Sequence, residues 1–176
     1  MDALNIAQLG NPILRQRATA LSVQQYQIQA PFFHALEQKM LEHNGVGIAA
    51  PQVSESIRAF IVASRPNPRY PNAPLMHPTL MLNPEIIWAS EALEQDWEGC
   101  LSIPGIRAKV NRHQQITVRY HTLADQEINT TMEGFIARIY QHELDHLDGI
   151  VFLDRANSTD YATEAEFLKL ICAPQG

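Results

Sequence analysis

Cysteine is scarce in this chain, two in 176 residues, Cys100 and Cys172. Two are too few for a disulfide framework, so each is read as a thiol in a reducing compartment. Cys172 reads as packing in an apolar tail. Basic charge is also short, with 13 Lys and Arg against 19 Asp and Glu and a net charge of −6. That excludes a polybasic footprint for stable binding to nucleic acid or to an anionic membrane. No apolar run approaches the roughly eighteen residues of a membrane span, and Met1 to Gly10 holds no charged-then-apolar leader. Internal repeats and low-complexity tracts are absent. What is present is a hydrophobic content of 45%, ample for one core. The expectation is one domain over residues 1–176, cytoplasmic, or organellar if a leader was removed.

The chemistry concentrates in Gln141-His142-Glu143-Leu144-Asp145-His146, an H-E-x-x-H motif. On an α-helix the four-residue spacing puts His142 and His146 on one face, where both imidazoles reach a single divalent ion and Glu143 stands beside its open position. Such an ion lowers the pKa of water, and a carboxylate that is not a ligand can carry the proton. Phe135, Ile139, His142 and His146 recur at helical spacing, Thr130 and Glu133 fit a capping box, and Gly149 fits a left-handed stop. The competing reading is a chance motif on a solvated amphipathic helix.

Upstream, Gly10 to Arg15 reads as a turn entering an irregular arm. Ile28, Phe32, Leu36 and Met40 mark an amphipathic helix ending at Asn44-Gly45. Pro31 either opens that helix or bends a longer one begun after Ser22. Gly45 to Gln52 (G-V-G-I-A-A-P-Q) follows a helix and lacks G-K-[ST], so it is a poor phosphate loop. It fits a backbone platform for an extended peptide, with Gln52 donating a hydrogen bond, and equally fits a simple tight turn. Ala59 to Ala63, Leu80 to Leu82, Ile86 to Trp88 and Ile116 to Tyr120 read as strands, and Arg65 to Pro78, with five prolines, as an exposed loop. Ile150 to Leu153 fits one more short strand. A last helix starts between Ser158 and Thr163 and carries Phe167, Leu168, Leu170 and Ile171. Strands followed by a helix indicate α+β with mostly antiparallel sheet.

A hydrolytic metal site needs a third protein ligand. Cys100, in the strand-like Glu98-Gly99-Cys100-Leu101-Ser102, would by itself be read as a small buried hydrophobe. Beside a metal helix that lacks a ligand it becomes the leading candidate, while Glu164 and Glu166 keep a glutamate-ligated site open.

Three stretches together, G-x-G-x-A-A-x-Q at Gly45 to Gln52, E-G-C-L-S at Glu98 to Ser102 and Q-H-E-x-D-H at Gln141 to His146, resemble the peptide deformylases, in the same order. Gly10 to Arg15, Leu82 to Ile86 and Val151 to Arg155 extend the likeness over most of the chain. The resemblance implies antiparallel sheets around a central metal-binding helix, with an N-terminal and a C-terminal helix. It also implies an activity, removal of the formyl group from the formyl-methionine of nascent polypeptides, with release of formate. The metal would be held by Cys100, His142 and His146 with water as fourth ligand, and Glu143 would act as general base and then acid. Gln52 and the backbone N–H of Leu101 would stabilise the oxyanion. Val46, Gly47 and Gly99 would hold the substrate in an extended pose, and Val46, Phe135, Ile139 and the ring of His142 would form the methionine pocket.

Arg138 stands where some members carry an aliphatic pocket residue. Its stem could pack on methionine while its head reaches solvent or Glu98, and Arg112 is the alternative partner for Glu98. Asp145 is divided between support of the site and a surface charge. His121 to Gln126 replaces the family's usual hairpin turn. A thiolate ligand suits iron, zinc, nickel or cobalt, and the resemblance favours Fe2+. It implies the ribosome as a transient encounter partner, and a monomer is expected. Two other functions compete, an H-E-x-x-H metallopeptidase and a non-catalytic formyl-peptide-binding or zinc-binding module.

Overall fold

The computed structural model describes residues 4–67 and 70–172, Cys172 by its backbone alone. The packing expected of the Cys172 side chain therefore lies outside the described residues. A short 3-10 turn, Pro12–Arg15, is capped by Asn11, whose side chain accepts from the Ile13 N–H at 3.1 Å. Helices α1 (Val23–Ile28) and α2 (Ala30–Glu42) follow. Both readings of Pro31 hold in part, because α1 starts directly after Ser22 and Pro31 occupies the first turn of α2. The break at Gln29 rotates the apolar face. Phe33, Leu36 and Met40 are buried, Phe32 is only partly buried, and Ile28 is 74% exposed, which corrects the stripe expected from the sequence.

The strands are β1 (Gly47–Ala49), β2 (Ala59–Ser64), β3 (Met76–Ala89), β4 (Leu93–Cys100), β5 (Ile103–His113), β6 (Gln115–His121), β7 (Glu127–Glu133) and β8 (Tyr161–Thr163). Helix α3 (Gly134–Leu147) separates β7 from β8, and α4 (Glu164–Cys172) closes the described chain. One sheet runs β1-β2-β3-β6-β7 and the other β4-β5-β8, with every pairing between these strands antiparallel. The α+β expectation, helices at both ends included, agrees with this architecture.

Several boundaries differ from the sequence reading. The two runs around Leu80 and Ile87 are one strand, β3, interrupted at Asn83, which takes φ 47° and turns its amide to Leu21 N, Leu21 O and Tyr26 Oη at 2.9, 2.8 and 3.1 Å. The last residues of the proline-rich loop, Met76 to Pro78, belong to β3. Thr130 caps no helix, since it pairs with Val118 inside β7. That strand runs straight into α3 through Gly134, at φ 55°, whose N–H donates to Gln114 O. Gly149, at φ 75°, does lie just past the end of α3. Phe152–Asp154 is a 3-10 turn, not a strand, because Asp154 Oδ2 accepts from Val151 N at 2.9 Å and bends the chain. The last helix starts at Glu164, one residue later than expected, since β8 occupies the preceding three.

Helix α3 lies across β1 and β2, with Tyr140 edge-on to Phe60 at 5.0 Å between ring centroids. Ten of its 14 residues are buried, including Arg138, His142, Glu143, Asp145 and His146. A polar helix this deep needs a partner for each charge. The second sheet supplies them. On β5, Ala108, Val110 and Arg112 share a buried face, where Arg112 meets α3 at Asp145 and Ala108 and Val110 pack with Val151 and Phe152, while Arg107 and Lys109 face the side where α4 and Trp97 lie.

Candidate metal centre

One turn of α3 sets His142 edge-on to His146, ring centroids 5.1 Å apart. The last residue of β4, Cys100, brings its Sγ to 3.2 Å from His146 Nε2. Among the described residues, Cys100, His142 and His146 form the one group of such side chains whose ligand atoms converge, all lying within 4.8 Å of one another. A thiol sulfur and two imidazole nitrogens around one point fit a transition-type divalent ion. Glu164 is not part of this group. Its carboxylate takes Arg107 Nε and Nη2 at 2.6 and 3.0 Å, and Glu166 pairs with Lys169 on the surface.

The orientation of His142 is set from behind. Glu98 Oε2 lies 2.9 Å from His142 Nδ1. Burial raises the Glu98 pKa, but the hydrogen bond from His142 and the charge of Arg112 outweigh it and hold the group ionised, well below the ordinary range. An ionised carboxylate only accepts, so Nδ1 carries the hydrogen and Nε2 keeps its lone pair for the site. Arg112 donates twice to Glu98, at 2.9 and 3.0 Å, and once to Asp145 at 2.6 Å. Arg155 closes on Asp145 at 2.6 and 2.5 Å. Asp145, 6% exposed, is thus part of the support and not a surface charge.

Arg138 corrects one expectation and meets another. It is 4% exposed, so its head does not reach solvent. Nη1 donates to Glu98 Oε1 at 3.0 Å and Val110 O at 2.8 Å, and Nη2 to Glu94 O at 2.7 Å. Both arginines considered for Glu98 therefore bind it.

Glu143 follows His142 on α3 and turns its carboxyl toward β1. Any Cβ on Gly47 would collide with that carboxyl, so glycine is required for the approach. Glu143 Oε2 is buried with no hydrogen-bond partner among the described residues. Desolvation pushes its pKa up to about 7. Gln52, 2% exposed, accepts from Ala49 N at 2.8 Å and directs its Nε2 to Cys100 Sγ at 3.3 Å and Ser102 Oγ at 3.2 Å. The stretch Gly45 to Gln52 is therefore strand β1 followed by a 3-10 turn, and it binds the cysteine strand through Gln52.

A cleft of about 390 Å³ opens over these groups. Val46, Gly47, Gln52, Gly99, Cys100, Leu101, Phe135, Arg138, Ile139, His142 and Glu143 all line it, and His146 lies beneath. The sequence reading had not singled out Arg107, Arg155, Tyr70 or Trp97 as parts of this region. Their positions depend on long-range pairing, for which local spacing carries no signal.

The family model for polypeptide deformylase matches residues 3–162. Peptide deformylase 2 of Nostoc sp. is 49% identical over 172 residues, covering 97% of this chain and 96% of that protein. Peptide deformylase 2 of Shewanella oneidensis is 46% identical over 164 residues, 93% and 90% of the two chains. A Met-Ala-Ser-bound crystal structure of a class I type b peptide deformylase from Acinetobacter baumannii aligns with a TM-score of 0.82 at 46% identity, over 87% of this chain and 98% of that one. The peptide deformylase of Thermotoga maritima aligns with a TM-score of 0.78 at 32% identity, over 89% and 99%.

Proposed function

This chain belongs to the polypeptide deformylase family, and on that premise we propose that Cys100, His142 and His146 hold its metal while Glu143 moves the proton of the reaction. The reaction is removal of the N-terminal formyl group from nascent polypeptides by a metal-dependent hydrolase, with release of formate. The observation that carries the assignment is the convergence of three ligand atoms from two distant segments beside a buried carboxyl oxygen that has no partner among the described residues.

A divalent ion at this position supplies Lewis acidity, polarising water and the formyl carbonyl. Glu143 accepts the proton of the attacking water at its carboxylate and delivers it to the nitrogen of the departing methionine. Gln52 Nε2 and the Leu101 N–H donate to the oxyanion, and Gln52 is held in advance by Ala49 and Ser102. β1 ends one sheet and β4 the other. Their free edges flank the cleft, and the backbone of Val46, Gly47 and Gly99 holds the substrate as an added strand, which leaves recognition beyond methionine loose in sequence. Phe135, Ile139 and Val46 supply the apolar wall for the methionine side chain, and the stem of Arg138 borders the same cleft while its guanidinium is held by Glu98.

Iron is the physiological ion in this reading, with zinc, nickel or cobalt accepted by the same donors. We place the enzyme in the cytoplasm as a monomer of one catalytic domain over residues 1–176, meeting the ribosome only transiently. No helix among the described residues is long and apolar enough to cross a membrane, and the net charge of −6 favours no lasting hold on RNA.

The test is formate release from formyl-Met-Ala-Ser by protein loaded without oxygen with iron or nickel, alongside Glu143→Ala. Turnover by the wild type, nearly abolished in a variant that keeps its metal, is expected. A fully metallated wild type that releases no formate overturns the reading.

A further inference from the structure

Arg107 takes no part in the chemistry above, yet its side chain is only 5% exposed. It reaches from β5 across Gly99 on β4, where any Cβ would collide with the guanidinium. Glu164, the first residue of α4, takes Nε and Nη2, and Nη1 donates to the Tyr70 hydroxyl at 3.3 Å. The guanidinium also lies over the ring of Phe167, 5.2 Å from its centroid. Tyr70 in turn packs on Phe135, ring centroids 4.7 Å apart. One cation thus joins the β4 edge, the loop at Tyr70, the first turn of α3 and the C-terminal helix. All four border the cleft, and a second cavity of about 260 Å³, sharing Tyr70, Trp97 and Phe135 with it, continues along α4.

We propose that the Arg107–Glu164 pair is a positioning device that fixes the downstream half of the substrate groove, so that α4 sets how tightly residues beyond the formylated methionine are held. The proposal deepens the deformylase reading and rests on it. The physical argument is that a buried guanidinium needs its carboxylate. Without Glu164, Arg107 turns out to water, the space beside Gly99 empties, and Tyr70 loses the hydrogen bond that holds it against Phe135. Groups at the metal are untouched by this, because Cys100 and Glu98 point to the opposite face of β4, toward α3. The loss therefore falls on ground-state binding of the chain that follows methionine and not on the chemical step.

The experiment compares wild type, Glu164→Ala, Glu164→Gln and Glu164→Asp, each nickel-loaded and checked for metal content and circular dichroism. Substrates are formyl-Met-Ala-Ser and formyl-methionine amide, with the product Met-Ala-Ser as inhibitor. For the tripeptide, KM should rise about tenfold in the Ala and Gln variants, and kcat should stay within about twofold, as for loss of uniform binding. The inhibition constant of Met-Ala-Ser should weaken in parallel, the short amide should lose several-fold less than the tripeptide, and Asp should restore most of the loss. An unchanged tripeptide KM in both Ala and Gln variants overturns the proposal. So does an equal fall of kcat on both substrates, which marks a folding defect. If the wild type turns over neither substrate, the deformylase reading itself falls.

Discussion

Replacing Glu98 by glutamine changes almost no volume, yet it puts a donor where the protein offers only donors. Oε1 accepts from Arg112 Nε at 2.9 Å and Arg138 Nη1 at 3.0 Å, and Oε2 from Arg112 Nη2 at 3.0 Å and His142 Nδ1 at 2.9 Å. Whichever way the new amide sits, its NH2 faces two of these four N–H groups. Arg112, 4% exposed, keeps one carboxylate, Asp145, that Arg155 already shares, and Arg138, equally buried, keeps the Val110 and Glu94 carbonyls. Breaking a buried ion pair on one side costs about 3–5 kcal/mol. In a chain of this size that lowers the melting temperature by roughly 10 °C. If the amide turns its nitrogen toward His142, the imidazole loses the acceptor that fixes its tautomer, and metal affinity falls about 10- to 100-fold. Thermal unfolding of the nickel-loaded protein gives the first quantity, and competition with a chelator gives the second. A melting temperature within about 2 °C of wild type, corresponding to less than ~1 kcal/mol, together with unchanged metal affinity would refute the network as a support for His142.

Gly47→Ala should fold and bind metal but lose roughly a hundredfold in kcat, because the new methyl displaces the Glu143 carboxyl; wild-type kcat in steady-state assays would contradict that placement. Arg138→Ile should leave the preference for methionine over other first residues unchanged and lower stability by about 2–4 kcal/mol through three lost hydrogen bonds. An altered first-residue preference in a substrate panel would give the Arg138 stem a part in selecting methionine. The iron-loaded enzyme should lose activity in air while the nickel and cobalt forms persist, since a thiolate on a redox-active ion climbs the oxidation ladder. Equal decay of all three, followed by formate release over time, would count against iron ligated by Cys100.

The elements legible in the sequence were those whose signal is local. Helix α3 was visible because Phe135, Ile139, His142 and His146 keep helical spacing, and β2 and β6 because their apolar residues are contiguous or alternate. The start of α3 was misread because its cap is not a side chain but a strand running through a left-handed Gly134. β3 was read as two strands because the interruption at Asn83 serves a tertiary purpose, the hydrogen bonds to Leu21 and Tyr26. The apolar stripe of α2 holds at Leu36 and Met40 and fails only at its start, at Ile28 and Phe32, because Pro31 starts a new helix rather than continuing the old one.

The charges behind the site were illegible for a different reason. Glu98 and Arg112 reach α3 only through strand register. Glu94 is paired with Arg112, Trp97 with Lys109 and Glu98 with Ala108, and an irregularity follows between Glu98 and Cys100. That register gives one face of the small sheet to Ala108, Val110, Arg112 and Glu98, of which Arg112 and Glu98 meet α3 and the other two Val151 and Phe152 just beyond it. The other face carries Arg107, Lys109 and Trp97, which meet α4 or one another. A slip of one residue would exchange the faces, turning Arg112 away from the carboxylates of Glu98 and Asp145 and lifting Arg107 off Glu164. Holding the metal ligands and holding the substrate groove are thus two consequences of a single pairing of β4 with β5. A substitution that weakens that pairing, such as Val110→Pro, which removes an inner apolar side chain and a strand N–H, should therefore weaken metal binding and raise the tripeptide KM together. Loss of one with full retention of the other, measured on the folded fraction, would show that the two faces are positioned independently.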